Sequence, residues 1–274
     1  MTDISRNQCQ RPTERGSPSH LLQRRPTRGL RPRRRGEELG EDDRPPGEAP
    51  LSIDAIILDF DGLIVDTETP IYEAWKGAYE SRGQSLGLDQ WQHSLGTHGG
   101  FDAHAHLESL LGEVLSREEL QREVRAASDR LCEPQPLLPG VETLLRDAQS
   151  RGLGRAVASS SSCRWVEGWL RRHGIRELLD VVVARDDVTR VKPDPELFLL
   201  AARRLDVAPE RSVVFEDSPN GMRAALAAGM HCVAVPNALT RDLDRPEVDL
   251  VMDSLDARPL SEVLDAVRAG GAGA

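Results

Sequence analysis

Ile53-Asp54-Ala55-Ile56-Ile57-Leu58 runs directly into Asp59-Phe60-Asp61-Gly62-Leu63-Ile64-Val65-Asp66-Thr67-Glu68, so an apolar run ends in two carboxylates and a glycine. A short apolar run of this kind reads as a buried strand. In open α/β sheets the carboxyl ends of the strands are where ligands bind. Asp59 and Asp61 are two residues apart, so on a regular strand they point to one side and Phe60 points away. Gly62 permits a tight turn at positive φ or a close backbone approach to a ligand. Two converging acids suit a metal ion, a nucleophile and a proton carrier. Asp and Gly are also ordinary turn residues, so the rest of the chain has to decide.

From Val141 onward short apolar or β-branched runs alternate with amphipathic helical patterns. Strands are expected at 153–158, 180–184, 212–216, 231–235 and 249–252, and helices at 141–151, 163–173, 195–206, 219–228 and 260–268. Such alternation implies a parallel sheet with helices on both faces, a Rossmann-like three-layer α/β core. Between the first and second strands, 69–133 reads as helical throughout, with candidates at 69–82, 88–95, 101–112 and 116–132 separated by glycines. That block is too long for a crossover, so an inserted all-helical cap domain is expected. The division is 51–68 and 137–274 for the core and 69–136 for the cap, with Pro134, Pro136 and Pro139-Gly140 marking the return.

Residues 1–50 are rich in Arg, Pro and Gly, lack periodicity and are expected to be disordered. The run Arg-Pro-Arg-Arg-Arg at 31–35 is a weak signal for RNA contact or targeting; a solvated tail or an upstream extension is the simpler reading. Residues 51–274 carry 24 basic against 37 acidic side chains, a net of −13. An acidic body argues against broad nucleic-acid or membrane-surface binding and suits a divalent cation. No apolar stretch approaches the ~20 residues of a bilayer span. Cys9, Cys132, Cys163 and Cys232 are scattered with no CxxC pair, and are read as reduced thiols of a cytoplasmic protein. A monomer is the expected state.

Three further strand exits carry polar groups. Ala156-Val157-Ala158 ends in Ser159-Ser160-Ser161-Ser162, where a hydroxyl and helix-N-terminal N–H groups suit phosphate oxygens; plain N-capping is the alternative. Lys192 lies in Val191-Lys192-Pro193-Asp194-Pro195. The chain holds 33 Arg and only two Lys, Lys76 and Lys192, which asks what a compact ammonium does there that a guanidinium cannot. Ser212-Val213-Val214-Phe215 ends in Glu216-Asp217, an adjacent acid pair that is costly without a cation and whose hard oxygens favour Mg²⁺.

In this order the motifs DFDGLIVDTE, LLPGVETLLR, AVASSSS, VKPDPELF and VVFEDSPNGMRAALAAGM resemble the haloacid dehalogenase superfamily, in the subgroup with a helical cap after the first motif. The resemblance covers roughly residues 53–253 and is greatest to the β-phosphoglucomutase-like and sugar-phosphate phosphatase branch. It implies that Asp59 is the nucleophile, forming an aspartyl-phosphate, and that Asp61 is the acid/base. Ser159 and Lys192 would then hold the phosphoryl oxygens. Mg²⁺ would be ligated by the Asp59 carboxylate, the Asp61 backbone carbonyl and Asp217, with Glu216 direct or through water. The acid at Asp61 favours phosphoryl chemistry, because a leaving halide needs no proton.

The expected activity is thus Mg²⁺-dependent hydrolysis of a small phosphorylated metabolite, a sugar phosphate or similar phosphomonoester. A hexose-phosphate mutase is the alternative. It is weakened because mutases of that branch generally place a His near the position of Ile71-Tyr72, and 69–80 contains none. A non-catalytic protein on the same fold is the third reading, which four undegraded motifs disfavour. In the cap, the turn 96–101, GTHGGF, is the candidate specificity loop, with Thr97 and His98 as substrate contacts. His93, His98, His104 and His106 are read as weak substrate contacts or surface groups, since their spacing is poor for a metal. Trp75, Trp91, Trp165 and Trp169 are read as packing residues.

Overall fold

The computed structural model describes residues 52–97 and 99–271; the expected tail, 1–50, lies outside them. Six parallel strands form one sheet: β1 (Ala55–Leu58), β2 (Gly154–Ala158), β3 (Val181–Val183), β4 (Ser212–Glu216), β5 (His231–Ala234) and β6 (Leu250–Val251), in the spatial order β3-β2-β1-β4-β5-β6. That is a doubly wound order, with its reversal between β1 and β4, where a ligand crevice opens. Leu58 is in register with Val157 on one side and Phe215 on the other. Just past these three come Asp59, Ala158 followed by the serine run, and Glu216, which therefore leave one sheet edge at similar height.

Alternation along the strands builds the layers. Ile56 and Leu58 face a core shared with α5 (Val141–Ser150), α6 (Cys163–Arg172) and α9 (Leu260–Gly271). Ile57 faces the other way, with Leu197, Phe198 and Ala201 of α7 (Glu196–Leu205) and Met222, Ala224 and Ala225 of α8 (Pro219–Ala227). Between β1 and α5 come α1 (Glu68–Glu80), α2 (Leu88–Trp91), α3 (Ala103–Leu111) and α4 (Arg117–Cys132). These helices form a third hydrophobic cluster around Tyr79, Trp91, Leu107 and Leu120.

Local chemistry sets several helix ends. Ser116 caps α4 by accepting from the Glu119 N–H, Asp102 caps α3 through Ala105, and Ser218 caps α8 through Gly221, with Pro219 at the first helical position. The Asp102 cap explains why the helix expected at 101–112 begins at Ala103. The helix expected at 88–95 is shorter: Leu88–Trp91 is α-helical, Gln92–Ser94 tightens into a 3-10 turn, and Leu95 is extended. Cys132 and Cys232 are buried free thiols. Cys163, at the start of α6, is buried, and Cys9 lies outside the described residues. Among the described residues no helix is long and apolar enough to cross a membrane.

Candidate active site

The backbone past β1 turns at once. Phe60 O accepts from Ile64 N at 2.9 Å, and Gly62 N donates to Val65 O at 2.8 Å. Gly62 sits at φ +86°, and a Cβ there would come within 2.7 Å of both Asn237 and Asp217. Glycine is required on both counts. The turn buries Asp59 and leaves Asp61 half-buried.

Lys192 enters from the loop before α7. Its ammonium bonds Asp59 Oδ1 and, at 2.8 Å, Glu216 Oε1, and it is wholly shielded from solvent. Burial alone would lower the Lys192 ammonium, but the Asp59 and Glu216 carboxylates outweigh it and the net shift is upward. Burial pushes the Asp59 carboxyl up to about 8; Lys192 works against this, while Glu216 and Asp61 add to it. Asp217 is held well above the usual carboxylate range by burial and by the charges of Glu216, Asp59 and Glu68. Glu68, half-buried at the start of α1, is raised in the same way by burial and by Asp61 and Asp59, against a bond from the Gly96 N–H.

Asp61 has a different environment. Its Oδ1 accepts from Thr67 Oγ1 at 2.7 Å and Trp165 Nε1 at 2.8 Å; its Oδ2 accepts from Ser161 Oγ at 2.6 Å and Ser159 Oγ at 3.2 Å. Two carboxyls two residues apart are thus divided between a cationic partner and four neutral donors.

Asp59, Glu216 and Asp217 offer ligand oxygens within 4.8 Å of one another, all buried. Asp217 Oδ2 accepts from Asn237 Nδ2 at 2.7 Å, but Asp217 Oδ1 is buried without a partner. A buried carboxylate oxygen left unpaired is costly, and a hard cation is the partner this donor set fits. Glu216 has less to offer. Its Oε1 holds Lys192, while its Oε2 accepts from Ser218 N at 2.7 Å and Ser218 Oγ at 3.1 Å.

The cap closes on this edge through residues 95–97. Leu95 O accepts from Asn220 Nδ2 at 3.0 Å, Gly96 O from Ser160 Oγ at 3.2 Å, and Thr97 Oγ1 donates to Lys192 O at 2.5 Å. A 490 Å³ cleft beside Asp61 and Glu68 is lined by Ile71, Trp75, Thr97 and Phe101. A 390 Å³ cleft next to it shares Ile71, Trp75, Thr97, Gln121 and Ser161.

The structure brings Asp59, Asp61, Ser159, Lys192, Glu216 and Asp217 together at one sheet edge. Thr97 lines the cleft, but its hydroxyl is bonded to the Lys192 carbonyl; His98 lies outside the described residues. His104 is a buried group whose Nε2 is 3.2 Å from Leu115 O, and His106 Nδ1 is 3.0 Å from the Tyr79 hydroxyl, so both serve cap packing rather than the surface. Sequence reasoning missed Trp165, taken as packing although its indole N–H reaches Asp61. It also gave no role to Glu68, Thr67 or Asn237. Asn237 follows the tip of β5, so inspecting one more strand exit would have found it. Trp165 stands six residues after Ser159 in the first turn of a helix capped by Ser162, a position that can turn back toward the strand tip.

Strand order, helical insertion and acid-rich edge define a class, and the chain belongs to it: it is a member of the haloacid dehalogenase-like hydrolase family, matched over residues 56–235. Among individual relatives it is 42% identical over 213 residues to YhcW of Bacillus subtilis (strain 168), covering 78% of this chain and 97% of that one. It is 35% identical over 180 residues to the phosphorylated carbohydrates phosphatase of Thermotoga maritima, covering 65% and 82%. The crystal structure of CbbY from Rhodobacter sphaeroides in complex with phosphate superposes with a TM-score of 0.60 at 32% identity, covering 74% and 95%. The protein is a phosphatase of this family, a phosphoric monoester hydrolase.

Proposed function

We propose that the protein hydrolyses a small phosphorylated metabolite, a sugar phosphate or similar phosphomonoester, through an aspartyl-phosphate. The observation that carries the reading is the division of the two β1 carboxyls, Asp59 on the Lys192 ammonium and Asp61 on four neutral donors. Asp59 attacks phosphorus while Asp61 gives its proton to the departing oxygen, so the Asp59 O–P bond forms as the ester P–O bond breaks. Asp61 then takes a proton from the water that attacks the phospho-aspartate, and Asp59 leaves as carboxylate. Lys192 and Ser159 hold the phosphoryl oxygens, and Lys192 offsets the repulsion between two anions.

Asp59, Asp217 and the Asp61 backbone carbonyl are the proposed Mg²⁺ ligands, with Glu216 reaching it through water because its own oxygens are engaged. Bound there, Mg²⁺ supplies positive charge beside the phosphate. The division into a cap of 69–136 over a core of 51–68 and 137–274 belongs to the same reading, with the cap selecting the leaving group. A monomer working in the cytoplasm belongs to the same reading. The phosphorylated-carbohydrate phosphatase among the relatives supports the choice of a sugar phosphate.

A phosphate-release screen over phosphorylated metabolites, run with Mg²⁺ and with chelator, tests this. Mg²⁺-dependent release from a phosphorylated sugar is expected, and none from folded Asp59→Asn. Isomerisation of β-glucose 1-phosphate that requires glucose 1,6-bisphosphate, without net phosphate release, would replace the reading by a mutase. Binding without turnover of any substrate would replace it by a non-catalytic role.

A further inference from the structure

A third cleft, of about 660 Å³, lies between cap helix α4 and core helix α6 and shares Trp165, Ser162, Arg125 and Asp129 with the 390 Å³ cleft. Arg125 and Arg130 contribute to it from α4, and Arg164 and Arg172 from α6, around the indoles of Trp165 and Trp169. The two rings meet edge to face at 5.6 Å, and the Arg172 guanidinium lies 5.2 Å from the centroid of Trp169. Asp129 and Glu133 also line the cleft, leaving two positive charges in excess on a body whose balance is −13. Arg125, Arg130 and Arg164 have neither ion-pair nor hydrogen-bond partner among the described residues, whereas most arginines around them are bonded to carboxylates. The proposed hydrolytic reading uses none of these four guanidinia.

We infer that this cleft is a binding site for a small multivalent oxyanion of the phosphate class, held between α4 and α6. The planar guanidinium offers paired N–H donors that match phosphate oxygens, and the volume is that of a small-ligand pocket. An anion seated there engages one cap helix and one core helix at once. It also abuts Trp165, whose indole nitrogen holds Asp61. The cleft adjoins the 390 Å³ cleft through Arg125, Asp129, Ser162 and Trp165, but neither Asp59, Asp61 nor Lys192 lines it, so an anion held by Arg130 and Arg164 is distinct from one held at the Asp59–Lys192 edge.

Pyrophosphate is the probe, titrated into the full chain at low salt and followed by calorimetry and by the fluorescence of the tryptophans. Wild type is expected to show a binding class that survives in Lys192→Ala, in which the catalytic phosphate contact is removed. In Arg130→Gln/Arg164→Gln that class is expected to weaken by roughly tenfold or more for the loss of charge-assisted bonds. Both arginines are solvent-exposed, so the double variant should fold, and its phosphate release without pyrophosphate should match wild type. Identical isotherms for wild type and the double variant would overturn the inference. So would loss of all binding in folded Lys192→Ala, which would assign the anion to the catalytic edge. Neither outcome bears on whether Asp59→Asn is inactive.

Discussion

The Lys192 ammonium is enclosed by Asp59 and Glu216 and lies 4.9 Å from the centroid of the Phe198 ring, with no exposed surface. A guanidinium is larger and planar and cannot take that place without displacing one of the three. On the proposed roles, Lys192→Arg is expected to lower kcat by roughly two orders of magnitude or more, measured as phosphate release beside a circular-dichroism check of folding. Trp165→Phe tests a subtler contact. It keeps an aromatic ring against Trp169 but removes the N–H donated to Asp61, and kcat is expected to fall about tenfold with KM and melting temperature little changed. An equal fall in melting temperature would make the indole a packing residue after all. The scarcity of lysine made Lys192 legible, because composition isolates it. Trp165 was not legible: an aromatic on an amphipathic helix is ordinarily core, and only the rotation of α6 relative to the strand tip turns its N–H toward Asp61.

Elements were easier to read than contacts. The strands ending in Asp59, Ser159 and Glu216 could be placed because each apolar run stops at a polar residue, and a parallel sheet puts all such stops on one edge. The short, tight turn at Gln92–Ser94 was not legible, since its hydrophobic pattern continues that of a helix. Close packing between elements was equally hidden. At Gly221, in the first turn of α8, a Cβ would lie 1.5 Å from Glu216 Oε1 and 2.0 Å from its Cδ. Glu216 cannot give way cheaply, because it is fully buried and both its oxygens are bonded. Gly221→Ala is therefore expected to cost about 2 kcal/mol by overpacking, read from urea unfolding. It should also reduce turnover, because Lys192 loses its anchor.

At the level of the whole molecule, three of the acidic side chains, Asp59, Glu216 and Asp217, are buried together where solvent cannot screen them. The Asp59 carboxyl stands at about 8 in the fold against an ordinary 3.8. The folded protein therefore favours its neutral form, so that contribution to stability is full below 3.8 and is lost as pH rises through about 8. Without divalent cations, melting temperature is expected to fall between about pH 5 and about pH 8.5. Added Mg²⁺ should raise it more at the upper pH than at the lower, as scanning calorimetry would record; an equal effect at both would count against the carboxylate cluster as the metal site. The same edge is tied to the cap at Leu95, Gly96 and Thr97, and one of those ties ends on the carbonyl of Lys192 itself. The loop proposed to choose a substrate is thus also a brace for the residue proposed to hold every substrate's phosphoryl group. In evolutionary terms cap and core are not interchangeable parts: a new specificity loop grafted between 95 and 101 must also bring a hydroxyl for that carbonyl, or selectivity is changed at the expense of rate.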